Sequence, residues 1–263
     1  MGTENSAPPA GSGSVQSLGR AFELLEHMAE AGGEASLSQL SEASGLAMGT
    51  IHRLVRTLVN LGYVRQQPSS RRYALGPRLI RLGETASRQI GTWARPHLAE
   101  LVAVTGETAN LAVLDADAVV YVGQVPSPHS MRMFTEVGRR VHAHCTGVGK
   151  ALLSQLPPEE ARAIVVRAGM PAATPHSITD PDELLKELAK IRRRGYALDE
   201  AEQELGVRCL AVPVTGAPTR VALSISGPEG RMTADLIKQT VPIMQKIAGE
   251  LATSLMRDQN PPE

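Results

Sequence analysis

Between Val15 and Leu82 the apolar positions follow a helical period first and a strand period later. Leu18, Phe22, Leu25 and Met28 recur at three- and four-residue steps, which predicts a helix with one apolar face. Ser17 is placed to cap its start, and Gly32-Gly33 end it. Ser36 and Gln39 form an S-x-x-Q capping box ahead of Leu40, and Gly45 stops this second helix after two turns. In AMGTIHRLVRTLVNLG the apolar stripe is Ile51, Leu54, Val55, Leu58 and Leu61. The opposite face carries Gly49, His52, Arg53, Arg56 and Asn60. Two helices, a glycine-bearing turn and a third helix make the order of a helix-turn-helix. The period then drops to two in YVRQQ and RRYALG, joined by PSS. That predicts a hairpin wing with Arg71 and Arg72 at its tip.

Pro77 can open a further helix, PRLIRLGETASRQ, read as a linker, and TWARPHLAELVAVTG then enters a second domain. Beyond Gly106 the two periods alternate. TANLAVL and AVVYVGQV are strands joined by DAD, and MRMFTEV reads as another. ALLSQL, EEARAIVVRA and PDELLKELAKIRRRG are helices, the last started by Asp180, Pro181 and Glu183 and ended by Gly195. YALDE, RCLAVPV and RVALSISG are strands, and ADLIKQTVPIMQKIAGELATSLM closes the chain as a helix. Strands interleaved with helices predict a sheet with helices packed on it.

The 263 residues suffice for two modest domains, and 42% hydrophobic residues allow packed cores. Residues 1–14 are small, polar and rich in Pro and Gly, so they and the last residues, 258–263, are expected to be disordered. The expected domains are 15–76, a linker helix over 77–92, and 93–257. No charged-then-apolar leader and no apolar run near ~18 residues is present, so a cytoplasmic protein without a membrane partner is expected. Lys+Arg and Asp+Glu are both 27, which excludes a uniform basic coat. The sum hides an asymmetry, however. From Val15 to Leu82 there are eight basic and five acidic residues, and every acid precedes residue 43. From Gly49 to Leu82 the charges are all basic, which suits a polyanion such as double-stranded DNA.

The run HCTGVGKALL, residues 144–153, concentrates candidate chemistry. A Walker phosphate loop needs G-x-x-x-x-G-K-[ST]. Here His144 stands at the first glycine and Ala151 at the Ser/Thr, which argues against nucleotide triphosphates. His142, His144, Cys145 and Cys209 lack a strong zinc spacing, so no metal or other cofactor is expected. No nucleophile and base pair stands out, so an enzyme is not expected; a ureide hydrolase with a regulatory winged helix is the remote alternative. TGVG running into a helix can seat a carboxylate on backbone N–H groups. An ordinary tight turn with a solvated Lys150 is the other reading of that stretch.

Taken together, the chain resembles the IclR family of bacterial transcription regulators from Val15 to about Met256. The resembling stretches are VQSLGRAFELLE, GLAMGTIHRLVRTLVNLGYV, RYALGPRLIRLG, TGETANLAVL, HCTGVGKALL, ALDEAEQELGVRCLAVPV and ALSISGP. Within the family it is most similar to the allantoin and glyoxylate pathway repressors, through GETANLAV with VGQV, the MRM run, and GVRC with SISGP. The resemblance implies an α+β protein: an N-terminal winged helix-turn-helix, a linker helix and a C-terminal GAF-like α/β effector-binding domain. It implies a homodimer or homotetramer on operator DNA. It implies a small carboxylate effector, allantoate or glyoxylate, held by the amides of Gly147 and Val148 and the side chains of Asp199, Cys209, Ser224 and Ser226. A regulator of another carboxylic-acid pathway, repressor or activator, is the alternative. Met48 stands where a basic or hydroxyl residue is common, so Gly49, Thr50, His52, Arg53 and Arg56, with Arg71 and Arg72 of the wing, are the expected DNA contacts. Asp199 beside a carboxylate requires a ligand that also donates, through hydroxyls of hydrated glyoxylate or N–H groups of a ureide. That requirement tilts the expectation toward a ureide.

Overall fold

The computed structural model describes residues 15–90, 94–133 and 136–258, of which 87–90 and 257–258 are described by backbone alone. The expected tails, apart from Asp258, lie outside the described residues, as do Gly91 and Thr92 of the expected linker. The chain divides into two compact units at Ala86/Ser87.

The first unit contains α1 (Gln16–Glu30), β1 (Glu34–Ala35), α2 (Leu37–Ser44), α3 (Met48–Asn60), β2 (Val64–Gln66), β3 (Tyr73–Leu75) and the start of α4 (Arg78–Ile90). The capping box forms as the sequence requires. The Ser36 hydroxyl accepts from Gln39 N–H, and the Gln39 side chain accepts in return from Ser36 N–H. Gly45 ends α2 at a φ of 67°, a conformation that costs a side chain dearly. At α1 the structure differs from the expectation, because Ser17 does not cap. The helix starts two residues earlier, at Gln16, with Val15 at the cap and no side-chain bond there.

Leu24, Leu25 and Met28 of α1 pack with Leu40, Ile51, Leu54, Val55 and Leu58 into one core. Each buried aliphatic side chain contributes roughly 1.5–3 kcal/mol. The predicted stripe on α1 is only half buried, however. Leu18 and Phe22 remain 58% exposed, and Leu61, expected in the α3 stripe, is 48% exposed. Together with Val15, Leu79 and Leu82 they line an apolar groove of about 690 Å³. The wing is the β2–β3 hairpin, and β1 joins its open edge as a third antiparallel strand in the order β1-β3-β2. Two residues of β1 are too few to show a period in the sequence.

The second unit contains α5 (Arg95–Thr105), β4 (Thr108–Asp115), β5 (Ala118–Val125), β6 (Arg140–Val141), α6 (Gly147–Leu153), α7 (Pro158–Ala168), α8 (Pro181–Arg194), β7 (Ala197–Glu200), β8 (Val207–Val214), β9 (Val221–Pro228) and α9 (Ala234–Asp258). Its sheet runs β6-β5-β4-β9-β8-β7, every neighbouring pair antiparallel. Strand alternation sorts the side chains onto two faces. Leu111, Leu210, Val212, Leu223 and Ile225 pack with Leu98 and Leu101 of α5 and Met244, Ile247 and Leu251 of α9. On the other face Ala112, Ala197, Ala211 and Ala222 pack with α6, α7 and α8. The alanines let α6 lie close to the strands.

Asp180 caps α8 as expected, accepting from Asp182 and Glu183 N–H at 2.9 Å each, and Gly195 ends it at a φ of 79°. MRMFTEV corrects the sequence reading. Met131–Met133, Glu136 and Val137 form no strand, while Phe134 and Thr135 lie outside the described residues. Met131 and Val137 are 74% and 55% exposed, and the edge of β5 is taken instead by Arg140–Val141. An alternating pattern with no surface to bury against stays irregular.

Candidate functional site

The side chains on the alanine face form transverse rows, because paired strands place partners side by side. One row is Asp199, Cys209, Ser226 and Thr108, across β7, β8, β9 and β4. The next is Ala197, Ala211, Ser224, Asn110 and Gln124, reaching β5. A third is Pro213, Ala222, Ala112 and Tyr121. The first row is therefore polar, the second runs from alanine on β7 and β8 to polar side chains on β9, β4 and β5, and the third holds no charged residue. Asp199, Cys209, Ser224 and Ser226, separate in the chain, fall together on adjacent positions, all buried.

The N-terminus of α6 meets this floor over β8. A Cβ added to Gly147 would stand 2.9 Å from Cys209 Sγ and 3.5 Å from Ala211 Cβ. One added to Gly149 would overlap the backbone of Ala143. The two glycines thus serve close approach. The sequence reading starts the helix at Ala151, but it begins at Gly147, so the glycines form its first turn. Thr146 caps it by accepting from Gly149 N–H at 3.2 Å. The first N–H groups of a helix have no acceptor within it, which leaves those of Gly147 and Val148 for another partner.

Lys150 is not solvated, contrary to one sequence reading. It is 2% exposed, and its ammonium is ion-paired with the Glu202 carboxylate. Residues 143–145 turn into the helix. His144 Nε2 lies 3.0 Å from the Pro171 carbonyl, and burial holds the imidazole below its usual range, hence neutral. Cys145 Sγ donates to Gln203 Oε1 at 3.1 Å, and burial pushes its thiol up to about 12. Cys209 is likewise pushed to about 12 by burial, with Asp199 adding and the Ser226 and Ser224 hydroxyls opposing. Neither is a thiolate near neutrality, so neither has the character of a nucleophile.

Asp199 Oδ1 accepts from Glu202 N–H at 2.7 Å and from Gln203 N–H at 3.4 Å. Burial nevertheless raises its carboxyl to about 7, the backbone bond from Glu202 opposing. Among the described residues, three buried side-chain atoms have no hydrogen-bond partner: Asn110 Nδ2, Glu202 Oε2 and Ser224 Oγ. Ser224 and Asn110 are cross-strand neighbours in the second row, and Glu202 adjoins Asp199 through its backbone bond. Buried polar groups are normally paired, so the facing Asn110 and Ser224 atoms mark a place where a polar ligand completes them. Ser226 and Cys209 lie in the row beside them.

On the first unit, Gly49, His52, Arg53 and Arg56 are exposed on one side of α3, and Thr50 is half-buried. Arg53 and Arg56 make no ion pair among the described residues. The two wing arginines differ. Arg71 is exposed at a φ of 56°, whereas Arg72 is held to the Glu34 carboxylate at 2.8 Å and to the Glu34 carbonyl at 3.1 Å. Arg72 thus braces the wing on β1.

Residues 17–68 match the IclR helix-turn-helix domain, and residues 83–253 match the C-terminal domain of the bacterial transcriptional regulator IclR. The chain belongs to the IclR family. It is 36% identical over 245 residues to the transcriptional repressor IclR of Escherichia coli K12, covering 91% of this chain and 89% of that one. It is 30% identical over 258 residues to the transcriptional repressor AllR of the same organism, covering 97% and 95%. A solved IclR homologue from Microbacterium hydrocarbonoxydans, complexed with 4-hydroxybenzoate, superposes with a TM-score of 0.76 at 25% identity, covering 92% of this chain and 99% of that one. As an IclR-family member the chain is a ligand-responsive transcriptional regulator rather than an enzyme. Its helix-turn-helix domain followed by an α/β domain agrees with the solved IclR structures.

Within this IclR-type domain, sequence reasoning missed Asn110, Glu202 and the burial of Lys150. Asn110 carried a usable signal: it is an amide at an inward position of an otherwise apolar strand, TANLAVL. Asp199 also sets a pH dependence. The unfolded chain releases this proton near the ordinary carboxylate value, and the folded one keeps it to about 7. Folding stability therefore falls as pH rises through that window and levels off above it. Asp199→Asn keeps an oxygen for the Glu202 and Gln203 N–H groups and removes the buried charge. It should be more stable than the wild type at pH 8, by up to about 4 kcal/mol less what burying the new amide N–H2 group costs, and lack this slope. Urea melts at pH 5.5 and 8 check it; a variant less stable at pH 8 contradicts it.

Proposed function

We propose that the protein is a homo-oligomeric repressor of allantoin and glyoxylate catabolism that leaves its operator when a small carboxylate, allantoate or glyoxylate, occupies the second unit. The observation that carries the effector site is that the α6 N-terminus at Gly147 lies over Cys209 and Ala211, with the buried and unpartnered Ser224 Oγ on the neighbouring strand across from Ala211. The amides and hydroxyls donate to a carboxylate, and Asp199 accepts from the ligand's own donors. The stretches GETANLAV with VGQV, the MRM run, and GVRC with SISGP support the choice of pathway. Release requires that the ligand bind the DNA-incompetent state more tightly. The exposed Leu18, Phe22 and Leu82 at the apolar groove support self-association of the first unit. A C2 dimer would set two recognition helices about one DNA turn, roughly 34 Å, apart.

A regulator of another carboxylic acid is the second reading, favoured by the 4-hydroxybenzoate bound in the Microbacterium homologue. A gel shift on the DNA upstream of neighbouring allantoin and glyoxylate genes separates the two, with glyoxylate, allantoate and allantoin titrated at fixed salt. Reversal by one of them supports the first reading; a shift that none reverses supports the second. In the same assay Arg53→Ala or Arg56→Ala should weaken operator binding by about 1–3 kcal/mol where the side chain reads a base. Arg72→Ala should weaken it less, since that guanidinium is already engaged with Glu34. Unchanged shifts for both α3 variants contradict this choice of face.

A further inference from the structure

Asn110 is fully buried on β4, and its carbonyl oxygen accepts from Gln124 Nε2 at 3.1 Å. That bond fixes the amide so that its N–H2 is the end without a partner. Directly across the β4–β9 pair stands Ser224 Oγ, also fully buried and also without a partner. Two orphaned donors on facing positions cost free energy unless something accepts from both. Among the described residues nothing accepts from either, and the α6 N–H groups are themselves donors.

Their distance from the amides bears on ligand size. Gly147 lies over β8, at Cys209 and Ala211. Asn110 is two strands farther along the same row, past Ser224. Strands are about 4.8 Å apart, so the two places are separated by about 10 Å between backbones. A hydrogen bond of about 2.9 Å at each end takes up part of that span, which leaves roughly 4–5 Å between an oxygen at the amides and an acceptor at Asn110. A two-carbon acid does not span that. A carboxylic acid with a second acceptor about four or five bonds away does.

We propose that Asn110, oriented by Gln124 and assisted by Ser224, is a specificity-determining contact of the effector, selecting a carboxylic acid that carries a second hydrogen-bond acceptor at its far end. This rests on the second unit being the carboxylate site. The ligand class includes ureido acids and four- or five-carbon dicarboxylates. Glyoxylate fills only the amide end.

The test is isothermal titration of the full chain with glyoxylate, allantoate and 2-oxoglutarate. The wild type should bind at least one longer acid at least tenfold more tightly than glyoxylate. Asn110→Leu should remove that margin, a loss of about tenfold to a hundredfold for a bond to a charged acceptor. Glyoxylate, which meets the amides and not Asn110, should lose clearly less than the longer acid, so the ratio of the two affinities is the readout. Should the leucine variant melt early, Asn110→Ser carries the same expectation with a smaller, tolerated side chain. A margin that survives both variants means that the amide holds only a buried water, and overturns the inference. A wild type that prefers glyoxylate overturns it too. If none of the acids binds the wild type, the carboxylate reading itself falls, and this inference with it.

Discussion

Lys150→Met is expected to cost about 3–5 kcal/mol of stability at pH 8, because it leaves the Glu202 carboxylate buried without its cation. Burial already holds that carboxyl above its ordinary range, with Lys150 pulling it back. Without the lysine the group takes up a proton more readily. The deficit should therefore shrink as pH falls and Glu202 becomes neutral. Replacing both partners, Lys150→Met with Glu202→Gln, should recover most of the loss, since no charge is then stranded. Chemical melts of the two variants at pH 5.5 and 8 give the answer. A single variant as stable as the wild type at pH 8 would mean that Glu202 reaches water.

Gly147→Val is expected to abolish effector binding by at least a hundredfold while leaving operator binding intact. Its Cβ would stand 2.9 Å from Cys209 Sγ, and the branch adds two methyl groups at the mouth of the amide seat. Overpacking of this kind costs about 1–3 kcal/mol, so α6 must lift or the neighbours must shift. Either movement displaces the two N–H groups. Gly147→Ala should show a smaller loss, and adding Cys209→Ala should relieve it by removing the sulfur that the new methyl meets. Titration calorimetry paired with a gel shift reads both halves. Normal heat from the valine variant would remove Gly147 from the site.

Much of this architecture is legible in the amino-acid sequence, and the exceptions have physical causes. The Ser36 capping box and the Asp180 cap are local bonds, closed within three residues, so their spacing alone announces them. The α3 stripe is legible for the same reason. Leu18 and Phe22 show the limit: periodicity says that a helix has an apolar face, not what covers it. Strands β1 and β6 have two residues each, too short for any period. Lys150 misleads because its partner lies 52 residues away, and a lysine after glycines looks solvated. At the site, the glycine turn is visible as a possible anion seat. The four side chains come from family resemblance. What neither supplies is the register that sets Asp199, Cys209 and Ser226 in one row and Asn110 beside Ser224.

The division of one sheet face into alanine positions and polar positions has a consequence for how such regulators diversify. The alanines 112, 197, 211 and 222 seat α6, and enlarging any of them pushes on a helix packed at full density. Exchanges at 108, 110, 224 and 226 touch the polar positions and leave the alanine seat alone. Ligand preference and structural integrity are therefore inherited through separate positions on the same strands. A lineage can change what it senses by drift at these polar positions while its scaffold stays fixed, and a designer retuning the sensor should confine a library to them and leave Ala197 and Ala211 of the same row untouched.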